Sequence, residues 1–391
     1  MEKKYDFDKI IERRDSGAVK TDALKFLYGR EDIMPMWVAD MDFETPDFIL
    51  DALKIRLEHP IFGYTRNSPG YKKSIVEWNK NLHGWDLKND WIAFIPGVVK
   101  GIAMVMNYFT KPGDKVIIQP PVYHPFRITT EKNGRTVVNN QLKLVAGQYQ
   151  MDFEQLESVI KGCKLFILSN PHNPGGRVWR KETLAHLAEI CYKNNVLVIS
   201  DEIHSDMALY GNRHTPFATV SDEARRNSIT FAAPSKTFNI AGIVSSYAVI
   251  PDDKLRHEFY SWLEANELSD PSIFSAIAAE AAFTYGYEWM KQMLAYIEKN
   301  VNYVADFIDE NIPTIKVIKP EASFLVWLDC RELDLNHEQL VSLFVNDARL
   351  ALNDGEMFGP GGEGFMRMNI GTPMSNIKLA LGQLKEAVDK L

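Results

Sequence analysis

Cysteine is scarce in this chain: three residues in 391, at Cys163, Cys191 and Cys330. Odd in number and widely spaced, they supply neither a disulfide framework nor the paired spacing of a structural metal site. The nine histidines are scattered without a ligating pattern, so no metal is expected. No apolar run approaches the ~20 residues that span a bilayer. The opening Met1-Glu2-Lys3-Lys4-Tyr5-Asp6 is charged where a signal peptide would be apolar. Excess positive charge is missing too. With 44 Lys and Arg against 52 Asp and Glu the net charge is −8, which argues against nucleic acid as the main partner. A soluble protein of the reducing cytoplasm is expected, with no membrane or nucleic-acid partner.

What is present is an alternation of strands and helices. Trp91 to Ile95 reads as a strand and Val98 to Phe109 as a helix. Further strands follow at Lys115 to Gln119, Lys164 to Ser169, Val196 to Ser200, Ile229 to Ala233 and Ser246 to Ile250, with a helix from Lys181 to Asn194. Apolar strands separated by amphipathic helices indicate a mostly parallel sheet in an α/β architecture, which binds ligands at the carboxyl ends of its strands. A chain of 391 residues exceeds what one core usually serves. After residue 285 the pattern changes to a long helix (Glu288 to Ile312), strands at 315–318 and 323–328, and a terminal helix. Two domains are therefore expected: a large one over 46–285, and a smaller α+β one built from 1–45 and 286–391.

The chemistry-bearing segments fall at strand ends. Ser200-Asp201-Glu202-Ile203-His204 follows one strand and Ser235-Lys236-Thr237-Phe238-Asn239 follows the next. A lysine beside a carboxylate suits pyridoxal phosphate. The amine can form a Schiff base with the aldehyde, and the acid can keep the ring nitrogen protonated, so that the ring takes up electrons. Pro96-Gly97-Val98-Val99-Lys100-Gly101 joins a strand to a helix whose first amides could cradle a phosphate. Asn170-Pro171-His172-Asn173-Pro174-Gly175-Gly176 reads as an extended, rigid loop offering an amide to a phenolic oxygen. Pro120-Pro121-Val122-Tyr123 places an aromatic ring where a flat cofactor could stack. Taken singly, each segment also fits an ordinary turn, and Arg367 on Phe365-Met366-Arg367-Met368 also fits a surface ion pair. The glycine-rich run 359–364 lacks nucleotide-loop spacing and reads as a flexible loop. Ala278-Ala279-Glu280-Ala281-Ala282 reads as helix packing.

In this order the segments resemble the fold-type I pyridoxal phosphate enzymes of the aspartate aminotransferase superfamily. The resemblance is closer to the branch of aminotransferase-like cystathionine β-lyases and carbon–sulfur lyases. It rests on Met36-Trp37-Val38-Ala39-Asp40-Met41-Asp42-Phe43, Phe62-Gly63-Tyr64-Thr65, Asp201-Glu202-Ile203-His204, Ser235 to Gly242 and Arg367-Met368-Asn369, and runs from about residue 30 to the end. His204 stands where aminotransferases usually carry tyrosine; it also fits a structural histidine. The resemblance implies that Lys236 is the Schiff-base lysine and acid/base catalyst, and that Asp201 pairs with the ring nitrogen. Asn173 would bond the ring oxygen while Tyr123 stacks. The amides of Val98 and Val99, with Ser235, would hold the phosphate. Arg367 would grip the substrate carboxylate, with Val38, Ala39 and Asn173 lining the substrate. Tyr64 would cross from a partner subunit, implying a homodimer with shared active sites. Two positions depart from the superfamily: Ala233 replaces a serine, and Val244 replaces a phosphate-binding arginine. Phosphate affinity would then rest on amides, Tyr64 and Lys100.

The activity expected is a carbon–sulfur β-lyase that cleaves L-cystathionine or a cysteine S-conjugate to a thiol, pyruvate and ammonia. The rivals are a class I/II aminotransferase and a pyridoxal phosphate-binding regulator. Regulators on this fold usually add an N-terminal DNA-binding domain, for which about thirty residues before Trp37 leave no room.

Overall fold

Seven strands form the central sheet of the computed structural model, which describes residues 3–391. In chain order they are β1 (Ile92–Ile95), β2 (Lys115–Ile118), β3 (Thr136–Asn139), β4 (Cys163–Ser169), β5 (Leu197–Asp201), β6 (Ser228–Ala232) and β7 (Ser246–Val249). Across the sheet they lie β1-β7-β6-β5-β4-β2-β3. β7 runs antiparallel to β1 and β6, and every other pairing is parallel. Every residue of β5, β6 and β7 is buried. Covered on both faces, such strands read as continuous apolar runs rather than alternations. The strand missing from the sequence reading is β3, a half-exposed edge segment whose outer residues are polar.

The helix Val98–Phe109 buries Val98, Gly101, Ile102, Val105 and Met106, one stripe at helical spacing. It lies so close to the sheet that a Cβ on Gly101 would sit 2.8–3.0 Å from the side chains of Ile95 and Phe231. The helix Ile273–Tyr285 buries Ala276, Ala278, Ala279, Ala281 and Ala282, so the alanine-rich stretch packs inward.

A second sheet is wholly antiparallel. Its strands β8 (Lys316–Ile318), β9 (Leu325–Asp329), β10 (Asn353–Asp354) and β11 (Phe365–Asn369) lie in the order β8-β9-β11-β10. The 25-residue helix Tyr287–Asn311 and the helix Met374–Val388 accompany it. The N-terminal segment reaches the same region. Met34–Pro35 pairs in parallel with Leu350–Ala351, and Phe7 meets Trp289 edge-on at 5.6 Å.

The glycine-rich run corrects an expectation. It is a tightly packed turn instead of a flexible loop: a Cβ on Gly355 or Gly362 would lie 2.1 Å from the other's carbonyl oxygen, and Gly362 N–H donates to Gly359 O at 3.0 Å. Among the described residues no helix is long and apolar enough to cross a membrane, and no group of three or more His, Cys, Asp or Glu could hold a metal ion.

Candidate active site

Parallel pairing of β5 and β6 brings Asp201, the last residue of β5, level with Phe231, so the chain leaves β6 towards Lys236 beside it. Asp201 is buried. Its Oδ1 accepts the Ile203 N–H at 3.1 Å, and no cation among the described residues lies within ion-pair distance. Burial pushes its carboxyl up to about 7 against the pull of that hydrogen bond and of Lys236. Lys236 Nζ donates to Ala39 O at 2.6 Å. Burial brings the amine down to about 8, with Arg367 adding to the effect and Asp40 and Asp201 opposing it.

The Ala39 carbonyl is aimed by a dense clamp. Arg13 Nη1 bonds Asp40 at 2.9 Å and Asp42 at 2.8 Å, while buried Lys20 bonds Asp42 at 2.9 Å. Asn239, at φ +56°, ties the same segment to the lysine loop by donating to Met41 O and Phe43 O and accepting from Met41 N–H. Val38 O accepts the Asn369 side chain and the Asp40 N–H.

Arg367 is buried on β11, not a surface ion pair. Its Nη1 donates to Asn173 Oδ1 at 3.0 Å, and its Nη2 to Asn353 Oδ1 at 2.5 Å and Trp37 O at 3.3 Å. The guanidinium stands 4.9 Å from the Phe358 ring centroid. Its Nε is buried without a partner, and no described carboxylate lies within ion-pair reach. Burial lowers its pKa to about 10. A desolvated cation held only by neutral oxygens is costly unless an anion completes it.

Asn173 shares that arginine and keeps its amide nitrogen free among the described residues. Its backbone is anchored by Ser169 Oγ at 3.1 Å and by the Tyr123 N–H at 3.0 Å. The loop carrying it is turned, not extended: Gly176 N–H donates to His172 O at 2.8 Å, and His172 N–H to Arg177 O at 2.8 Å. Tyr123 is half-buried, meeting Phe126 edge-on at 5.9 Å with no stacked partner among the described residues, and burial raises its phenol. The Val98–Phe109 helix starts at Gly97 (φ +121°) without a side-chain cap, and Gly101 N–H makes the first bond back to Gly97 O. The amides of Val98 and Val99 are consequently free donors. Buried Ser235 offers a hydroxyl with no partner among the described residues, as does Ser245, one residue before the Ser246–Ile95 pair.

Tyr64, Lys100 and His204 make no side-chain hydrogen bond to the other candidate residues among the described residues. Tyr64 is fully exposed and is not brought to the site by its own chain. Lys100 is exposed, its side chain lying back over Gly97. His204 is buried on Ser323 Oγ at 3.1 Å and edge-on to Phe324, and burial drops its pKa to about 3, which fits a neutral structural histidine. Val244 takes the left-handed conformation at φ +56°, unusual for a β-branched residue. Asn353 was invisible to sequence reasoning, since only its register opposite Arg367 reveals it.

These groups fit pyridoxal phosphate. There are free amides and a hydroxyl for a phosphate, a buried acid without a cation for a protonated ring nitrogen, and an amine of lowered pKa. An unengaged amide nitrogen and an unstacked aromatic ring complete the set.

The sequence model of the aminotransferase class I and II family matches residues 31–384. The chain belongs to that family. Within it, the chain is 45% identical over 384 residues to cystathionine β-lyase PatB of Bacillus subtilis (strain 168), covering 98% of this chain and 99% of the relative. The crystal structure of cystalysin from Treponema denticola, which contains a pyridoxal 5′-phosphate cofactor, superposes with a TM-score of 0.95 at 34% identity, covering 99% and 100% of the two chains. The pyridoxal phosphate-bound C-S lyase from Staphylococcus hominis gives 0.91 at 34% identity, with 98% of each chain covered.

Proposed function

We propose that this chain is a pyridoxal phosphate-dependent carbon–sulfur β-lyase that cleaves L-cystathionine or a cysteine S-conjugate to a thiol, pyruvate and ammonia. The observation that carries the reading is Arg367, a buried guanidinium without a counter-anion whose charge, like that of Asp201, reaches Lys236. Such an arginine awaits a small carboxylate ligand. The similarity to PatB, cystalysin and the Staphylococcus hominis lyase supports the choice of reaction.

When bound, the cofactor supplies an aldehyde for the substrate amine and a protonated ring that takes up the electron pair left by the α-proton. The protein does the rest. Lys236 would hold the cofactor through its aldehyde, and as a free amine its Nζ, at a pKa of about 8, would be a competent base near neutrality for the α-proton. Asp201 would accept the ring N–H and hold the proton there. Asn173 would donate Nδ2 to the phenolic oxygen, and Tyr123 would pack against the ring. The Val98 and Val99 amides with Ser235 would hold the phosphate. Arg367 binds the α-carboxylate, while Val38 and Ala39 close the substrate side. Loss of the thiolate from Cβ, followed by hydrolysis, yields pyruvate and ammonia. The assembly is a cytoplasmic homodimer in which Tyr64 enters the partner's site, and each subunit divides into a large domain (46–285) and a small one (1–45 with 286–391).

The test is to incubate holoenzyme with L-cystathionine and no keto acid, then assay pyruvate and free thiol. Equal amounts of both are expected. Product formation only when a keto acid is added would make the protein an aminotransferase.

A further inference from the structure

We infer that Asn353 is a positioning residue for the substrate carboxylate site: it fixes the Arg367 guanidinium with a neutral oxygen, so that the arginine is held without being neutralised. The inference rests on the reading of Arg367 as the carboxylate-binding residue.

Asn353 lies on β10 directly opposite Arg367 on β11. The residue is buried, and its Oδ1 accepts from Arg367 Nη2 at 2.5 Å, the shortest of the three contacts to that guanidinium. Its Nδ2 donates to Met357 Sδ at 3.4 Å, which sets the amide with its oxygen towards the arginine. No hydrogen bond links Asn353 to Lys236, Asp201 or Tyr123 among the described residues, so it reaches the chemistry only through Arg367. Asn173 Oδ1 holds the other terminal nitrogen, so both terminal nitrogens are fixed by neutral oxygens.

The choice of amide over acid at this position has a reason. Aspartate has nearly the same shape, but at this distance it would pair with Arg367 as a buried ion pair and compete with the ligand. Alanine would leave Nη2 with only the longer Trp37 contact and let the guanidinium turn. A residue that merely filled space would tolerate aspartate better than alanine. A residue that positions an uncompensated cation would show the opposite order.

Asn353→Asp, Asn353→Ala and Arg367→Lys are compared with wild type as holoenzymes. Two readouts are taken: KM and kcat for pyruvate formation from L-cystathionine, and the L-alanine concentration that half-saturates the change in the cofactor's visible absorbance. Asn353→Asp is expected to raise both KM and the half-saturating concentration by about tenfold or more. Asn353→Ala should raise them less, with kcat within about threefold and cofactor content unchanged in both variants. Values for Asn353→Asp within twofold of wild type overturn the inference, as does a smaller effect for aspartate than for alanine. If Arg367→Lys also leaves both readouts unchanged, the carboxylate reading falls with it. If L-alanine perturbs the cofactor but no pyruvate forms, the lyase reading fails, while the absorbance titration still decides the role of Asn353.

Discussion

Asp201 and Arg367 carry opposite charges and share one condition: each is buried with no ion-pair partner among the described residues. For Asp201 the consequence can be read in pH. Its folded pKa of about 7 lies above the ordinary 3.8, so between these values the folded state binds the extra proton. Its contribution to stability is present below about pH 4 and is lost as the pH rises through about 7. The apo-protein should accordingly lose thermal stability across that window. Asp201→Asn should flatten the slope while keeping the fold. In the holoenzyme the same substitution should remove most of the lyase activity, because a neutral amide cannot hold the ring nitrogen protonated. Melting curves of the apo-proteins from pH 4 to 8 and a pyruvate assay check both halves. Activity within a fewfold of wild type would remove Asp201 from the site.

The start of the Val98–Phe109 helix does at the scale of an element what no side chain does there. Gly97 has no capping side chain, so the first N–H groups remain open to a phosphate together with the helix dipole. Proline is tolerated at the first helical position and lacks the N–H. Val98→Pro should therefore keep the helix and weaken pyridoxal phosphate binding by about tenfold. Lys100 is exposed with no described ion pair, so Lys100→Met should change affinity by less than about fivefold. Titration of pyridoxal phosphate into the apo-proteins measures both, and a hundredfold loss in Lys100→Met would put a phosphate contact on that lysine. Elements of this kind were legible in the sequence. The fully buried strands announce themselves as apolar runs, and Asp201, Lys236 and Gly97 stand where such runs stop. What escaped depends on pairing at a distance. β3 is a short polar-ended edge strand. β10 has two residues and acquires meaning only from Arg367 across the ladder. The loop carrying Asn173 is closed by backbone bonds among His172, Gly176 and Arg177, which residue types alone do not declare.

At the scale of the whole molecule, Tyr64 stands fully exposed, with Ile61 and Phe62 also largely exposed in the same segment. Apolar side chains grouped in this way fit the proposed subunit interface. On the proposal that Tyr64 serves the partner's site, a mixture of inactive Lys236→Ala and inactive Tyr64→Ala subunits should regain activity, because one of the two sites in a heterodimer would be intact. About half the wild-type activity per heterodimer is the ceiling. No recovery after demonstrated subunit exchange would confine Tyr64 to its own chain. The carbonyls of Trp37 and Ala39 have a consequence in the order of biosynthesis. They are held by Arg367 and by Lys236, and Met34–Pro35 pairs with Leu350–Ala351, so residues made first meet residues made last. Contacts so distant in sequence close late. A nascent chain halted before Leu350 would already hold the seven-stranded sheet with Asp201 and Lys236, but neither Arg367 nor the partner strand of its own N-terminal segment. On the proposed roles, translation delivers the cofactor's anchors well before it delivers the grip on the substrate, and an unfinished chain lacks the arginine that would hold an amino acid in place.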